Sequence, residues 1–302
     1  MTRIETATLA NSTTCELGEG PVWDPIRQQL LWLDIRSGTV HIGELDDSGK
    51  VTTIDRECFA GTVGAVAVAI DGSWVVAGAH EVFRHAADER EERVRVVAPS
   101  EPRRTNDGKP DPAGRFVVGT LALEGESSSE TLVRIDAGGV AVLDQDLTLS
   151  NGLAWSVDGA TMYSVDTLRG IVFARDYAAD SGAVGERRIF LEITDGYPDG
   201  ICVDAEDHLW VAVWGSGEVR RFAPTGLLDE VITVPAPHVS SVAFAGPRLD
   251  TLIITTATQD LNERQMSDHP LSGQLFSFKP GVTGAPVAFW NGELLTERTH
   301  VK

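Results

Sequence analysis

Six segments of this chain open alike at nearly regular intervals: Glu19-Gly20-Pro21-Val22, Val63-Gly64-Ala65-Val66, Asp107-Gly108, Asn151-Gly152-Leu153-Ala154, Asp199-Gly200-Ile201-Cys202 and Ser240-Ser241-Val242-Ala243. Their first residues are spaced by 44, 44, 44, 48 and 41 positions. A steady period of this size marks a repeat architecture with one supersecondary unit per period. Repeating units place their first residues at equivalent points, and in a closed ring such points converge on the axis. Glu19, Asp107, Asn151 and Asp199 would then gather oxygen donors of the kind that hard cations prefer.

Each period has the same contents. A second β-rich run follows the opening, as in Leu30-Leu31-Trp32-Leu33-Asp34, Trp74-Val75-Val76-Ala77 and Leu209-Trp210-Val211-Ala212. The joining segments, among them Ile70-Asp71-Gly72 and Val157-Asp158-Gly159, are hairpin signals. Third runs recur, such as Gly170-Ile171-Val172-Phe173 and Gln274-Leu275-Phe276-Ser277-Phe278. Fourth runs follow, such as Val51-Thr52-Thr53-Ile54 and, in the last unit, Pro286-Val287-Ala288-Phe289. Short strands in fours, repeated around a ring, predict an all-β six-bladed β-propeller with blades of four antiparallel strands. The run from Ile4 to Leu9 precedes the first unit and is expected to close the last blade as its outer strand, since closure removes exposed edges. A β-sandwich or tandem β domains would have no reason to repeat evenly. No amphipathic helical stretch exceeds a turn or two.

The 302 residues show no Pro/Ser-rich linker or low-complexity block, so one domain over 1–302 is expected. The net charge of −20 argues against nucleic acid and anionic membranes as partners and favours solubility. Cys15, Cys58 and Cys202 are odd in number and lack Cys-x-x-Cys spacing, which reads as reduced thiols. The N-terminal residues contain no apolar leader segment, and no run is long enough to span a bilayer, so a cytoplasmic location is expected. Neither a Gly-x-Ser-x-Gly elbow nor a phosphate-binding loop nor a dinucleotide fingerprint is present.

Four segments carry a resemblance: Leu17-Gly18-Glu19-Gly20-Pro21-Val22-Trp23-Asp24; Arg104-Thr105-Asn106-Asp107-Gly108-Lys109 with Asp111-Pro112-Ala113-Gly114-Arg115; Ser150-Asn151-Gly152-Leu153-Ala154-Trp155-Ser156; and Pro198-Asp199-Gly200-Ile201-Cys202-Val203-Asp204-Ala205. With these, the chain resembles the gluconolactonase/regucalcin (senescence-marker-protein-30) family of six-bladed propellers that hydrolyse sugar lactones. The likeness runs from about Leu17 to Phe278. It implies a divalent cation held by Glu19, Asn151 and Asp199, with substrate contacts from Arg104 and Asn106. A further acid that touches the sugar matches Glu124, although this chain has Leu123 and a single Glu where some members carry two acids.

Two carboxylates and an amide oxygen would neutralise a divalent ion and leave positions open for water and a carbonyl, as in catalytic rather than structural metal sites. Ca²⁺ is favoured, with Mg²⁺, Mn²⁺, Zn²⁺ or Fe²⁺ as alternatives. Asp199 is the expected general base. The chemistry implied is opening of an aldonolactone such as gluconolactone to the sugar acid. Alternatives are a Ca²⁺-binding regulatory protein without turnover, or a hydrolase of organophosphates or other lactones on the same scaffold.

Ordinary structural roles compete at every position. Asn-Gly and Asp-Gly are common turn dipeptides. Arg104 would serve in a surface ion pair and Glu124 as a solvated loop acid. Asp166 would face the pocket or simply end a strand. Trp23, Trp32, Trp155, Trp210 and Trp214 are expected to pack between blades, with Trp214 the one able to reach the mouth. For His208 and His238 a structural role is expected. Asp107 is expected to line the channel beside the cation without binding it directly.

Overall fold

The computed structural model describes residues 2–86 and 92–294. Six small sheets stand around a central axis, the expected six-bladed β-propeller. The innermost strand of each is the one that opens a repeat: Gly18–Asp24, Val63–Val68, Arg103–Pro110, Ser150–Trp155, Tyr197–Val203 and Val239–Ala245. Each touches the inner strand of the next blade, and the last touches the first. Inner strands are covered on both faces, so they read as unbroken apolar runs; Val63–Val68 is buried throughout. The outermost strand of the first blade, Val51–Cys58, is exposed everywhere but Val51 and is correspondingly polar. Between blades lie large side chains such as Trp210, Ile232, Phe244, Ile254 and Phe276.

All six inner strands are irregular at the same place. Register against the second strand shifts between Glu19 and Val22, Val63 and Ala65, Thr105 and Gly108, Asn151 and Leu153, Pro198 and Ile201, and Val239 and Ser241. Each inner strand thus holds one residue more than its partner over that stretch. Such a bulge turns a side chain away from the sheet alternation. Repeated around the ring, it aims the first residue of each unit at the axis.

The glycine behind that residue answers to the same crowding. A Cβ on Gly152 would lie 2.3 Å from the Asp199 carbonyl oxygen of the next blade, and one on Gly200 would lie 2.7 Å from Ser241 Cα. At Gly64 it would lie 2.5 Å from Asn106 O. Inner strands approach each other here more closely than any side chain permits.

Ring closure differs from expectation in part. Thr8–Asn11 is indeed the outer strand of the last blade, pairing antiparallel with Leu275–Phe278. Arg3–Thr6, however, adds a parallel fifth strand to the preceding blade through Leu228–Thr233. There Arg3 clasps the buried Glu230 carboxylate with Nε at 2.8 Å and Nη2 at 2.6 Å. The expected fourth strand at Pro286-Val287-Ala288-Phe289 is not a strand. The edge it would occupy is taken by Thr8–Asn11, and Pro286 has no N–H to donate to a ladder. These residues instead form a strap across the lower end of the ring. It is fixed at Ala285, whose N–H donates to Val203 O at 3.1 Å, and at Trp290, whose N–H donates to Val68 O at 2.9 Å.

Buried aspartates hold the connections. Asp204 accepts the N–H groups of Glu206 and His208, the Trp210 indole N–H at 2.9 Å and Arg221 Nε at 2.8 Å. At the opposite, upper end, Asp166 accepts from Thr148 N at 3.1 Å and from the Thr148 hydroxyl, and pairs with Arg169 at 3.1 Å. Asp34 occupies the equivalent position in the first blade and accepts from Leu17 N at 3.1 Å. Among the described residues one short helix, Glu263–Asp268, is capped by Asn262 with a reciprocal Gln265 contact. Among the described residues no helix is long and apolar enough to cross a membrane.

Gly152→Ala is expected to destabilise the protein by about 1–3 kcal/mol through overpacking at the axis. Gly185→Ala, where the added Cβ meets only ordinary contacts at 3.4 Å or beyond, should shift stability by no more than about 0.5 kcal/mol. Urea denaturation of both variants checks the difference. Asp166→Asn should cost about 1–3 kcal/mol in the same assay, because a buried hydrogen-bond acceptor and ion-pair partner is lost.

Candidate active site

The bulges deliver the openings of the first, third, fourth and fifth units to the upper part of the axial channel. Glu19, Asn151 and Asp199 are all buried there, and Asp107 faces the channel between them. Their proximity is visible in their electrostatics. Burial first, then the Asp107 carboxylate, pushes Glu19 far above the usual carboxylate range, against the pull of the Gly20 N–H and of Arg104. Burial, then Glu19 and Asp107, raises Asp199 strongly; the Asn151 side chain and Arg104 draw it back. Asp107 is raised by burial and lowered by Lys109. Carboxylates forced together out of water resist ionising together.

Arg104 is the counter-charge on the upper side. It is 6% exposed, so the alternative of a surface ion pair does not hold. Burial draws its pKa down to about 10 against the attraction of Glu19 and Asp199. Its Nη1 donates to Thr105 O at 2.9 Å and to Asn106 Oδ1 at 2.8 Å. Asn106 in turn donates from Nδ2 to Ser150 O of the next blade at 3.0 Å. Both ends of the Asn106 amide are therefore engaged, one with the guanidinium and one with the next blade. The other N–H groups of Arg104 make no hydrogen bond among the described residues and are not sealed in the protein interior.

Two buried oxygens at this centre have no hydrogen-bond partner: Asn151 Oδ1 and Asp199 Oδ1. Buried acceptors left in this way are rare and call for an explanation. With the Glu19 carboxylate they make an all-oxygen donor set of two acids and one amide, which suits a hard divalent cation. Among the described residues no group of three His, Cys, Asp or Glu side chains is arranged to hold a metal, so the amide is integral to such a set.

The remaining expectations sort by environment. Glu124 is exposed in the loop after Phe116–Ala122, on the same upper side, and makes no hydrogen bond or ion pair among the described residues. Asp166 is fully buried and committed to its own loop, which settles its two readings in favour of structure. Trp32 and Trp210 are buried between blades. Trp214 reaches the upper face, where its ring stacks on His238 at 4.2 Å and 13°, and His238 Nδ1 lies 2.9 Å from Gln259 O. His208 belongs to a hairpin turn at the lower end, beside Glu206 O. Sequence reasoning assigned no role to the sixth unit. The Ser241 hydroxyl helps draw Glu19 down, and Ser240 Oγ donates to Gly18 O at 2.5 Å. The shared repeat phase of these serines was the available signal.

Residues 17–258 match the SMP-30/gluconolactonase/LRE-like region. A pentonolactonase of Haloferax volcanii is 34% identical over 289 residues, covering 93% of this chain and 97% of its own. A 6-deoxy-6-sulfogluconolactonase of Pseudomonas putida is 32% identical, covering 91% and 95%. The crystal structure of a calcium-binding protein, regucalcin, from Agrobacterium tumefaciens superposes with a TM-score of 0.86 at 26% identity, covering 98% of this chain and 99% of that one. With the repeat, the ring and the axial oxygen cluster in agreement, this protein belongs to the SMP-30/gluconolactonase/LRE-like family.

Proposed function

We propose that this protein, acting as one propeller domain, is a divalent-cation-dependent hydrolase that opens a small polyhydroxylated lactone to its free acid. The observation that carries the reading is the pair of unpartnered buried oxygens, Asn151 Oδ1 and Asp199 Oδ1, beside Glu19 and within the field of Arg104. Relatives named pentonolactonase and 6-deoxy-6-sulfogluconolactonase, each matched over nearly the whole chain, support the reaction class.

In this reading Glu19, Asn151 and Asp199 hold the cation, with Ca²⁺ favoured by the all-oxygen donor set. The bound ion would supply Lewis acidity toward the lactone carbonyl and ease ionisation of an adjacent water. The protein's own groups do the rest. Asp199 takes a proton from water as its oxygen bonds to the carbonyl carbon. The ring C–O bond then breaks, and that proton passes to the departing ring oxygen. Arg104, fixed by Asn106, directs its remaining donors to substrate oxygens. Asp107 stays beside the reacting centre as a carboxylate that orders water. Glu124 is assigned to the far end of the sugar, where an exposed loop acid reaches hydroxyls.

The test is hydrolysis of a panel of aldonolactones by metal-stripped protein with Ca²⁺, Mg²⁺, Mn²⁺, Zn²⁺ or Fe²⁺ restored. Turnover should return with metal, and Asp199→Ala should lower kcat/KM by roughly 10²–10⁴-fold. A protein that binds Ca²⁺ through these residues yet opens no lactone would overturn the reading in favour of a binding role. Asn106→Ala should act through Arg104 and raise KM more than it lowers kcat.

A further inference from the structure

The axial channel continues below the carboxylates. Lys109 lies two residues beyond Asp107 on the same inner strand. It reaches across the channel, past the fourth blade, and its Nζ donates to Ile201 O of the fifth at 3.0 Å. Its ammonium thus marks the boundary between the oxygen cluster above and a separate space beneath. That space is a part-enclosed cavity of about 350 Å³, within the range of small-molecule sites. Its wall is made by the lower halves of the inner strands, with Val22, Val66, Ala154, Val203 and Phe244 among its lining. Its floor is the strap, which contributes Pro286, Val287, Ala288 and Phe289.

Two features of this space set what would fill it. The wall is mostly hydrocarbon, so a polyhydroxylated sugar acid would lose its hydration there with few partners in return. The inner end carries a cation with three donors, of which one is engaged by a backbone carbonyl. Among the described residues no carboxylate forms an ion pair with Lys109. A positive charge facing an apolar space is best matched by an anion with an apolar body. The strap also suits entry. Between its anchors at Ala285 and Trp290, residues 286–289 make no backbone hydrogen bond to the ring among the described residues, and Val287 is exposed.

We propose that the lower cavity is a second ligand site, distinct from the lactone site, for a small apolar monocarboxylate. The carboxylate would accept from Lys109 Nζ and the hydrocarbon body would lie against Val66, Val203 and Phe244 under the strap.

The metal-loaded full chain is titrated with benzoate and hexanoate by calorimetry. Tryptophan emission is followed in parallel, because Trp23 and Trp155 line the cavity. One saturable site per chain is expected for at least one of the two acids. Benzyl alcohol, the neutral counterpart of benzoate, should bind at least about tenfold more weakly, and Lys109→Met should weaken either acid by a similar factor. Ala288→Phe, which fills the cavity from the strap and leaves the upper cluster untouched, should abolish binding even if Lys109→Met fails to fold. Asp199→Ala should leave the affinity unchanged. Absence of saturable binding by both acids would overturn the proposal, as would equal affinity for the alcohol or undiminished binding by Ala288→Phe. Loss of binding in Asp199→Ala would assign the anion to the upper site and overturn it as well.

Discussion

Neighbouring inner strands approach each other closely at the axis, and most of the architecture follows from that contact. Where Gly152 meets the Asp199 carbonyl, or Gly200 the backbone at Ser241, there is no room for a Cβ. The extra residue in each inner strand arises at the same level, and together the two devices turn one side chain per blade inward. A propeller packed less tightly at its centre would still bury its tryptophans between blades. It would not bring Glu19, Asn151 and Asp199 into one another's field.

That field is costly to maintain. Carboxylates removed from water repel one another, and the fold answers with Arg104 above and Lys109 below. Neither cation bonds directly to the oxygens it compensates: Arg104 Nη1 is held by Asn106 and Thr105, and Lys109 Nζ by Ile201 O. The compensation is therefore through space, and Asn151 Oδ1 and Asp199 Oδ1 stay free. A direct salt bridge would have used up the donor set.

Much of this was legible in the sequence because the axis imposes the same demand six times. Glycine recurs behind each acid or amide for steric reasons, so period and chemistry coincide at Glu19, Asn151 and Asp199. The Asp158 hairpin was legible on local grounds, since an aspartate that caps its own turn leaves a short-range pattern. Elements whose partners lie far away in sequence were not. Pro286 to Phe289 looks like a strand, and nothing local reveals that Thr8–Asn11 already holds that edge. Similarly, the run from Ile4 to Leu9 carries no mark of its division between two blades. Asp166 reads equally as pocket or loop residue until Thr148 and Arg169 are seen around it.

The way the ring shuts has a consequence for how the chain is made. Arg3 meets Glu230, 227 positions later, and Thr8 pairs with Ser277. Residues 3–11 thus leave the ribosome long before the strands they pair with. Through nearly the whole of synthesis the nascent chain carries open strand edges, and its N-terminal residues wait without a ladder. Pairings so distant form slowly and leave edges exposed to other chains meanwhile. A net charge of −20 makes such half-built rings repel one another. Net charge would then matter during the interval before residues 3–11 meet the strands of the last two blades.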